Sequence, residues 1–253
     1  AATRSNRARI FDLPNSAVLF MMSAGEPDKP FALICPGGGY EALCHLKEGF
    51  PVAAAFNRLG YNAFILNYRI IGPALFPKPL EDIAAAVRFI LSNAKNLGVR
   101  ADNYAVVGFS AGGHLASTIA THATGDAAPN FQILFYPVIT MDQGFTHKGS
   151  HDNFLGTFGD DKKDQKELKR LEFEYSNELQ VNRTTPRAFL ALSDDDKAVP
   201  VANGLNYYQQ LYKHDVPASI HIYPTGGHGW GYRESFPYHY NLVFELKAWL
   251  QSF

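Results

Sequence analysis

Gly108-Phe109-Ser110-Ala111-Gly112 is the stretch of this chain best suited to covalent chemistry. A serine hydroxyl is a weak nucleophile until a base takes its proton. A strained strand-to-helix turn is one way to lift it out of a sheet towards that base. The flanks of Ser110 fit such a turn. Tyr104 to Val107 is an apolar, strand-forming run, and the alanine-rich residues after Gly112 read as helix. Gly108 and Gly112 lack Cβ and leave room for strand and helix to pass closely. The first N–H groups of the new helix point to where an oxyanion would form. Five residues of this kind also arise by chance, so the remainder of the chain must supply a base, an orienting acid and further oxyanion donors.

Nine histidines compete for the role of base. His221 lies inside a strand pattern and reads as structural. His114 follows Ser110 by one helical turn and is expected to pack beneath it. His45, His122, His214 and His239 have no supporting context. His228 stands just past the strand Ala218 to Tyr223, between Gly227 and Gly229, where a pliant loop can bring its imidazole to the serine. For the acid, the loop after Ala188 to Leu192 offers Asp194, Asp195 and Asp196. At least one of these reads as a solvated turn residue. The position ahead of Val199-Pro200 favours Asp196, then Asp195, then Asp194. Gly37-Gly38-Gly39-Tyr40 follows the apolar run Phe31 to Cys35, and adjacent glycines allow backbone N–H groups to turn into a pocket as an oxyanion hole. The chain order is serine, aspartate, histidine.

These residues need a scaffold that gathers strand ends. Apolar runs at 17–22, 31–35, 62–68, 131–137, 188–192 and 218–223 read as strands. Helices are expected at 50–59, at 80–97 with Gly98 as the stop, and at 241–251 burying Leu242, Leu246, Trp249 and Leu250. Another helix is expected after Pro200, with Val201, Leu205, Tyr208 and Tyr212 on one face. Gly72 to Pro79 is a proline-rich connection, and Thr3 to Arg9 a basic polar start. The alternation predicts an α/β fold, with a mostly parallel sheet covered by helices on both faces in one domain over 1–253. The regularity breaks at about 138–186. A departure of about fifty residues between strands reads as a lid. It carries the charged run Asp160 to Lys169 and an amphipathic helix carrying Leu168, Leu171 and Phe173. Ser150 and Asp152 are expected to cap helices, and His147 and His151 are candidates to approach a substrate.

Composition removes several function classes. Lys plus Arg is 23 and Asp plus Glu 24, a formal net charge of -1, so no basic field exists to hold nucleic acid. Tyr104 to Gly125 carries no Asp, Glu, Lys or Arg, yet its histidines, glycines and hydroxyls mark a buried strand and helix, not a membrane span. Cys35 and Cys44 form no metal spacing and are expected free and buried. No metal or other cofactor is expected. The first residue is Ala, and no signal peptide is visible; a secreted or periplasmic location after leader removal and a cytoplasmic one both stay open.

At this point the chain resembles α/β-hydrolase esterases of the acetyl-esterase and acetylxylan-esterase-like group. The resemblance is carried by Ile34-Cys35-Pro36-Gly37-Gly38-Gly39-Tyr40, Gly60 to Phe64, Gly108 to Ala116, Tyr136 to Thr140, Asp196 to Pro200 and Gly226-Gly227-His228-Gly229. The segments His147 to Ser150 and Asn153 to Gly156 contribute as well. It implies Ser110 as nucleophile, His228 as base and Asp196 as orienting acid, with the N–H groups of Ala111 and of Gly38 or Gly39 forming the oxyanion hole. It further implies a small-molecule or oligosaccharide ester as substrate, with acetyl on a sugar foremost. Relatives often have a histidine-containing turn before the acid, where this chain has Ala191-Leu192-Ser193. The rival readings are a peptidase of the prolyl-oligopeptidase type, separated by testing an amide against an acetylated sugar, and a binding protein that keeps the fold without the chemistry. A metal hydrolase lacks its His-Glu-x-x-His spacing.

Overall fold

Phe31, Leu33 and Cys35 point to one side of their strand and Ala32 and Ile34 to the other, and all five are fully buried. A strand hydrophobic on both sides needs cover on both sides, and the whole architecture follows from that. The structure, a computed structural model, describes residues 8–70, 74–156 and 161–253. Most of the basic start, Gly72 and Pro73 of the proline-rich connection, and Asp160 of the charged run lie outside the described residues.

Eight strands form one sheet: β1 Arg9–Asp12, β2 Val18–Met22, β3 Lys29–Cys35, β4 Asn62–Asn67, β5 Val99–Phe109, β6 Phe131–Phe135, β7 Arg187–Ser193 and β8 Ala218–Tyr223. Their order is β1-β2-β4-β3-β5-β6-β7-β8. The first two strands pair antiparallel, β2 joins β4 antiparallel, and every later pairing is parallel. The helices are α1 Phe50–Arg58, α2 Lys78–Ser92, α3 Ala94–Leu97, α4 Ala111–His122, α5 Lys148–Leu155, α6 Lys162–Tyr175, α7 Ala202–Lys213 and α8 His239–Leu250. Apolar side chains of α2, α4 and α7 pack on one face of the sheet, and those of α1 and α8 on the other. This is the α/β-hydrolase fold. Among the described residues no helix is long and apolar enough to cross a membrane.

Several expectations need correction. The helix expected over 80–97 is two pieces. Asn93 donates its side-chain amide to the Phe89 carbonyl at 2.8 Å where α2 ends, and α3 stops at Gly98 in the left-handed region. Helix α7 turns the opposite face inward: Asn203, Gly204, Tyr207 and Leu211 are buried, whereas Leu205 and Tyr212 are exposed. The reason is close packing at Gly204, where a β-carbon would stand 2.5 Å from a Leu192 methyl. In α6, Leu168 and Leu171 are buried as expected but Phe173 is exposed. Leu242 and Leu246 of α8 are buried, while Trp249 and Leu250 are only partly so. Cys35 and Cys44 are both free thiols, the first buried and the second half-buried.

Between β6 and β7 the chain leaves the sheet and carries α5 and α6. Two asparagines tie it down. Asn203 accepts the N–H groups of Ile139 and Thr140 and donates to the Phe145 carbonyl, which fixes the beginning of the segment. Asn177 donates to the His114 carbonyl and to Ser117 Oγ, which fixes its end against α4.

Candidate active site

Ser110 sits between β5 and α4 with φ 52° and ψ -122°, a conformation that non-glycine residues rarely adopt. The strain is held from several directions. Its N–H donates to the Phe135 carbonyl, and its own carbonyl accepts from Gly113, His114 and Val138. The flanking glycines are required by close approach. A β-carbon on Gly112 would lie 2.1 Å from the Cys35 carbonyl oxygen, and one on Gly108 2.4 Å from the Gly112 carbonyl oxygen.

The turn brings Ser110 Oγ to 2.8 Å from Nε2 of His228, and Nδ1 of the same ring is 2.6 Å from Oδ2 of Asp196. The other oxygen of Asp196 accepts the N–H groups of Ala198 and Val199, both at 2.9 Å. That carboxyl is almost completely buried, while the histidine side chain is 23% exposed. The three adjacent aspartates have separate places. Asp194 is exposed, Asp195 accepts the Gly227 N–H at 2.7 Å, and Asp196 meets the imidazole. Asp195 thus holds the loop whose next residue Asp196 engages.

Gly38 and Gly39 turn next to the serine with φ of 136° and 68°. Among the described residues the N–H groups of Gly38, Gly39 and Ala111 donate to no protein acceptor. A β-carbon on the neighbouring Gly37 would fall 2.8 Å from Ser110 Cβ, which measures how tightly the loop lies against the serine.

Sequence reasoning passed over Glu48, which organises this loop. It sits in a π-helical turn, His45–Gly49, and is 1% exposed. Its carboxyl accepts the Gly37 N–H at 2.7 Å and the Tyr136 hydroxyl at 2.9 Å. Tyr136 Oη in turn accepts the Gly231 N–H at 2.8 Å, and the tyrosine ring stands edge-on to His228 with centroids 4.8 Å apart. Burial and the neighbouring Glu48 push the Tyr136 phenol far above its ordinary range. Lys47 continues the bracket by donating to the Gly229 carbonyl at 3.0 Å. Glycine loop, β6 end and histidine loop are therefore tied through one turn. The only hint in the sequence is an acidic residue close behind three glycines.

The remaining histidines separate clearly. His114 is fully buried under the elbow, with Nε2 donating to the Tyr175 carbonyl and Nδ1 accepting from Tyr40, both at 2.8 Å. Burial pushes its pKa down to about 4. His221 stacks on Phe189 and pairs with Glu245. His147, not Ser150 or Asp152, is the N-cap of α5, and it accepts the Ser150 N–H. The expected caps have other tasks: Ser150 is buried inside the first turn, and Asp152 pairs with Lys148 and His151. His151 is buried with both ring nitrogens engaged, one by Asp152 and one by Glu172. Among the described residues no group of three or more His, Cys, Asp or Glu is placed to hold a metal ion.

A family model, BD-FAE, matches residues 19–211, a span that includes the glycine loop, Ser110 and Asp196. The chain belongs to the BD-FAE family. An acetylxylan esterase of Xylanibacter ruminicola is 39% identical over 220 residues, covering 86% of this chain and 44% of that protein. An endo-1,4-beta-xylanase B of Butyrivibrio fibrisolvens is 34% identical over 211 residues, covering 78% of this chain and 32% of that protein. The chain thus spans less than half the length of either. A crystal structure of an acetyl ester-xyloside bifunctional hydrolase from Caldicellulosiruptor lactoaceticus superposes with a TM-score of 0.83 at 33% identity, covering 99% of this chain and 94% of that one.

Proposed function

We propose that this BD-FAE protein is a serine carboxylesterase that removes short acyl groups, acetyl above all, from xylan-type sugars. The hydrogen-bonded line from Ser110 Oγ through His228 to Asp196, beside a glycine loop with unengaged N–H groups, carries the reading. The relatives' names support the substrate class, since one is an acetylxylan esterase and another an acetyl ester-xyloside hydrolase.

In this mechanism Nε2 of His228 takes the Ser110 proton as Oγ bonds to the ester carbonyl carbon. The carbonyl oxygen becomes an oxyanion and is met by the N–H groups of Ala111 and of Gly38 or Gly39. Collapse breaks the bond to the alcohol oxygen, which leaves with the proton from His228. Water then repeats the sequence, losing a proton to His228 and releasing the acid and free Ser110. Asp196 keeps the ring in the tautomer whose Nε2 accepts, and it stabilises the imidazolium. The segment between β6 and β7 serves as a lid over the strand ends, within one domain.

The test is turnover of p-nitrophenyl acetate and of acetylated xylobiose by the wild-type protein and by Ser110→Ala. Activity should drop by about a millionfold in the variant. Wild-type rates in Ser110→Ala would sink the proposal, and preferential cleavage of a dipeptide amide would replace the ester reading with a peptidase.

A further inference from the structure

His147, the N-cap of α5, holds its ring against the glycine loop. Its Cε1 is 3.8 Å from where a β-carbon on Gly39 would stand. The helix and the loop are locked together, because Asn153 of α5 donates its amide to the Gly39 carbonyl at 2.9 Å. The ring is also close enough to feel both His228 and Asp196 electrostatically. It therefore stands against the glycine loop, on the side of the site that carries the oxyanion donors.

The cap decides which proton the ring carries. Nδ1 of His147 accepts the Ser150 backbone N–H at 3.1 Å and lies 2.8 Å from Ser150 Oγ. A backbone N–H can only donate, so Nδ1 supplies a lone pair and the neutral ring holds its hydrogen on Nε2. Half-burial and the nearby His228 keep the His147 pKa below that of an ordinary histidine, which favours this neutral form. Among the described residues Nε2 has no protein partner. The other histidine of the helix offers nothing comparable, since both nitrogens of His151 are already bound.

We infer that His147 is a substrate-binding residue whose Nε2–H donates to a free hydroxyl on the alcohol part of the ester, selecting hydroxyl-bearing sugar esters over plain ones. The inference rests on the esterase reading and adds the group that recognises the sugar. The loop N–H groups take the carbonyl oxygen, and His228 must reach the leaving oxygen. A ring held against that loop, with Nε2 unengaged, is placed to meet the alcohol moiety attached to the leaving oxygen.

The experiment compares acetylated xylobiose with cyclohexyl acetate, a six-membered ring without hydroxyls, using wild type, His147→Asn and His147→Ala. Asparagine is a strong N-cap, so His147→Asn retains the helix start, while its shorter amide no longer places an N–H where Nε2 stood. The ratio of kcat/KM for the sugar ester to that for cyclohexyl acetate should fall about 10-fold in both variants, mostly through KM, as loss of one net hydrogen bond requires. A ratio that stays at the wild-type value, with both substrates slowed alike, would mean that His147 only supports the loop and would overturn the inference. A drop in His147→Ala alone would assign the effect to the cap and overturn it as well. If wild type cleaves cyclohexyl acetate but not the sugar ester, the inference falls while the esterase reading stands. If wild type and Ser110→Ala are equally inert on every ester, the esterase reading fails and takes this inference with it.

Discussion

Replacing Glu48 tests whether one buried carboxyl sets the geometry of two loops. Glu48→Gln is nearly isosteric, so packing is preserved while one acceptor oxygen becomes an N–H₂ donor. The two donors facing it are the Gly37 N–H and the Tyr136 hydroxyl. Only one can keep an acceptor. If the amide oxygen turns to Gly37, the amide nitrogen confronts a hydroxyl that already accepts from Gly231. A buried donor left without an acceptor costs about 1–3 kcal/mol, and that is the expected loss of stability. Tyr136→Phe strips the same junction from its other side: it leaves the Gly231 N–H and one Glu48 oxygen unpaired and should cost a similar amount. Because both changes disrupt one network, their effects should fall short of additivity by about 0.5 kcal/mol or more. Urea denaturation at pH 7 of the wild type, both single variants and the double variant supplies the cycle, with p-nitrophenyl acetate turnover recorded alongside. Strict additivity, or a Glu48→Gln midpoint equal to that of wild type, would refute the argument that these contacts form one bracket.

Three further outcomes follow from the site. Asp196→Asn should lower kcat by roughly ten-thousand-fold by presenting the wrong tautomer of His228 to the serine. Asp195→Asn, which touches only the Gly227 N–H, should lose far less, and equal losses would show that the neighbouring aspartates are interchangeable. Gly38→Ala would place a β-carbon 2.1 Å from the Ala42 carbonyl oxygen at φ 136°. Displacing the loop in this way should cut kcat about 100-fold or more, read as kcat in a variant whose circular dichroism is unchanged. His114 provides a pH prediction. Its folded pKa is depressed to about 4 from an ordinary 6.5, so the neutral ring is the one the fold favours. Above pH 6.5 the residue is neutral in both states and contributes no pH dependence. As pH falls from 6.5 towards 4 the unfolded chain takes up the proton first, and stability drops by up to about 1.4 kcal/mol per pH unit. Its ring resonance in NMR should stay unshifted down to about pH 5, and a midpoint near 6.5 would contradict the buried, doubly bonded geometry.

Ser110 and His228 could be read from the sequence because their settings are local. Glycines flank each, an apolar run precedes each, and close backbone approach admits few other residues. The central strands were equally legible, since a chain buried on both sides of a parallel sheet must be apolar at every position, whereas the exposed edge strand β1 carries no such signal. Asp196 was only half legible. Three identical side chains in a row carry no chemical distinction, and the turn after β7 alone decides which one meets the imidazole. Helix α7 misled for a related reason. Its greasier face, with Leu205 and Tyr212, points outward. The thinner face, with Gly204 and Asn203, can approach Leu192 closely and satisfy the N–H groups of Ile139 and Thr140. Periodicity counts apolar atoms but not the space available to them or the backbone donors waiting beneath. Glu48 is the extreme case. No local pattern singles it out, yet it lies 1% exposed among donors contributed by Gly37 and Tyr136. The amino-acid sequence by itself determined the central strands, the elbow and the two loops that face it, because those depend on neighbours along the chain. Which aspartate engages, which face of α7 is buried and which carboxyl brackets the site were decided only in the tertiary structure, because they depend on groups far apart in sequence competing for the same buried donors.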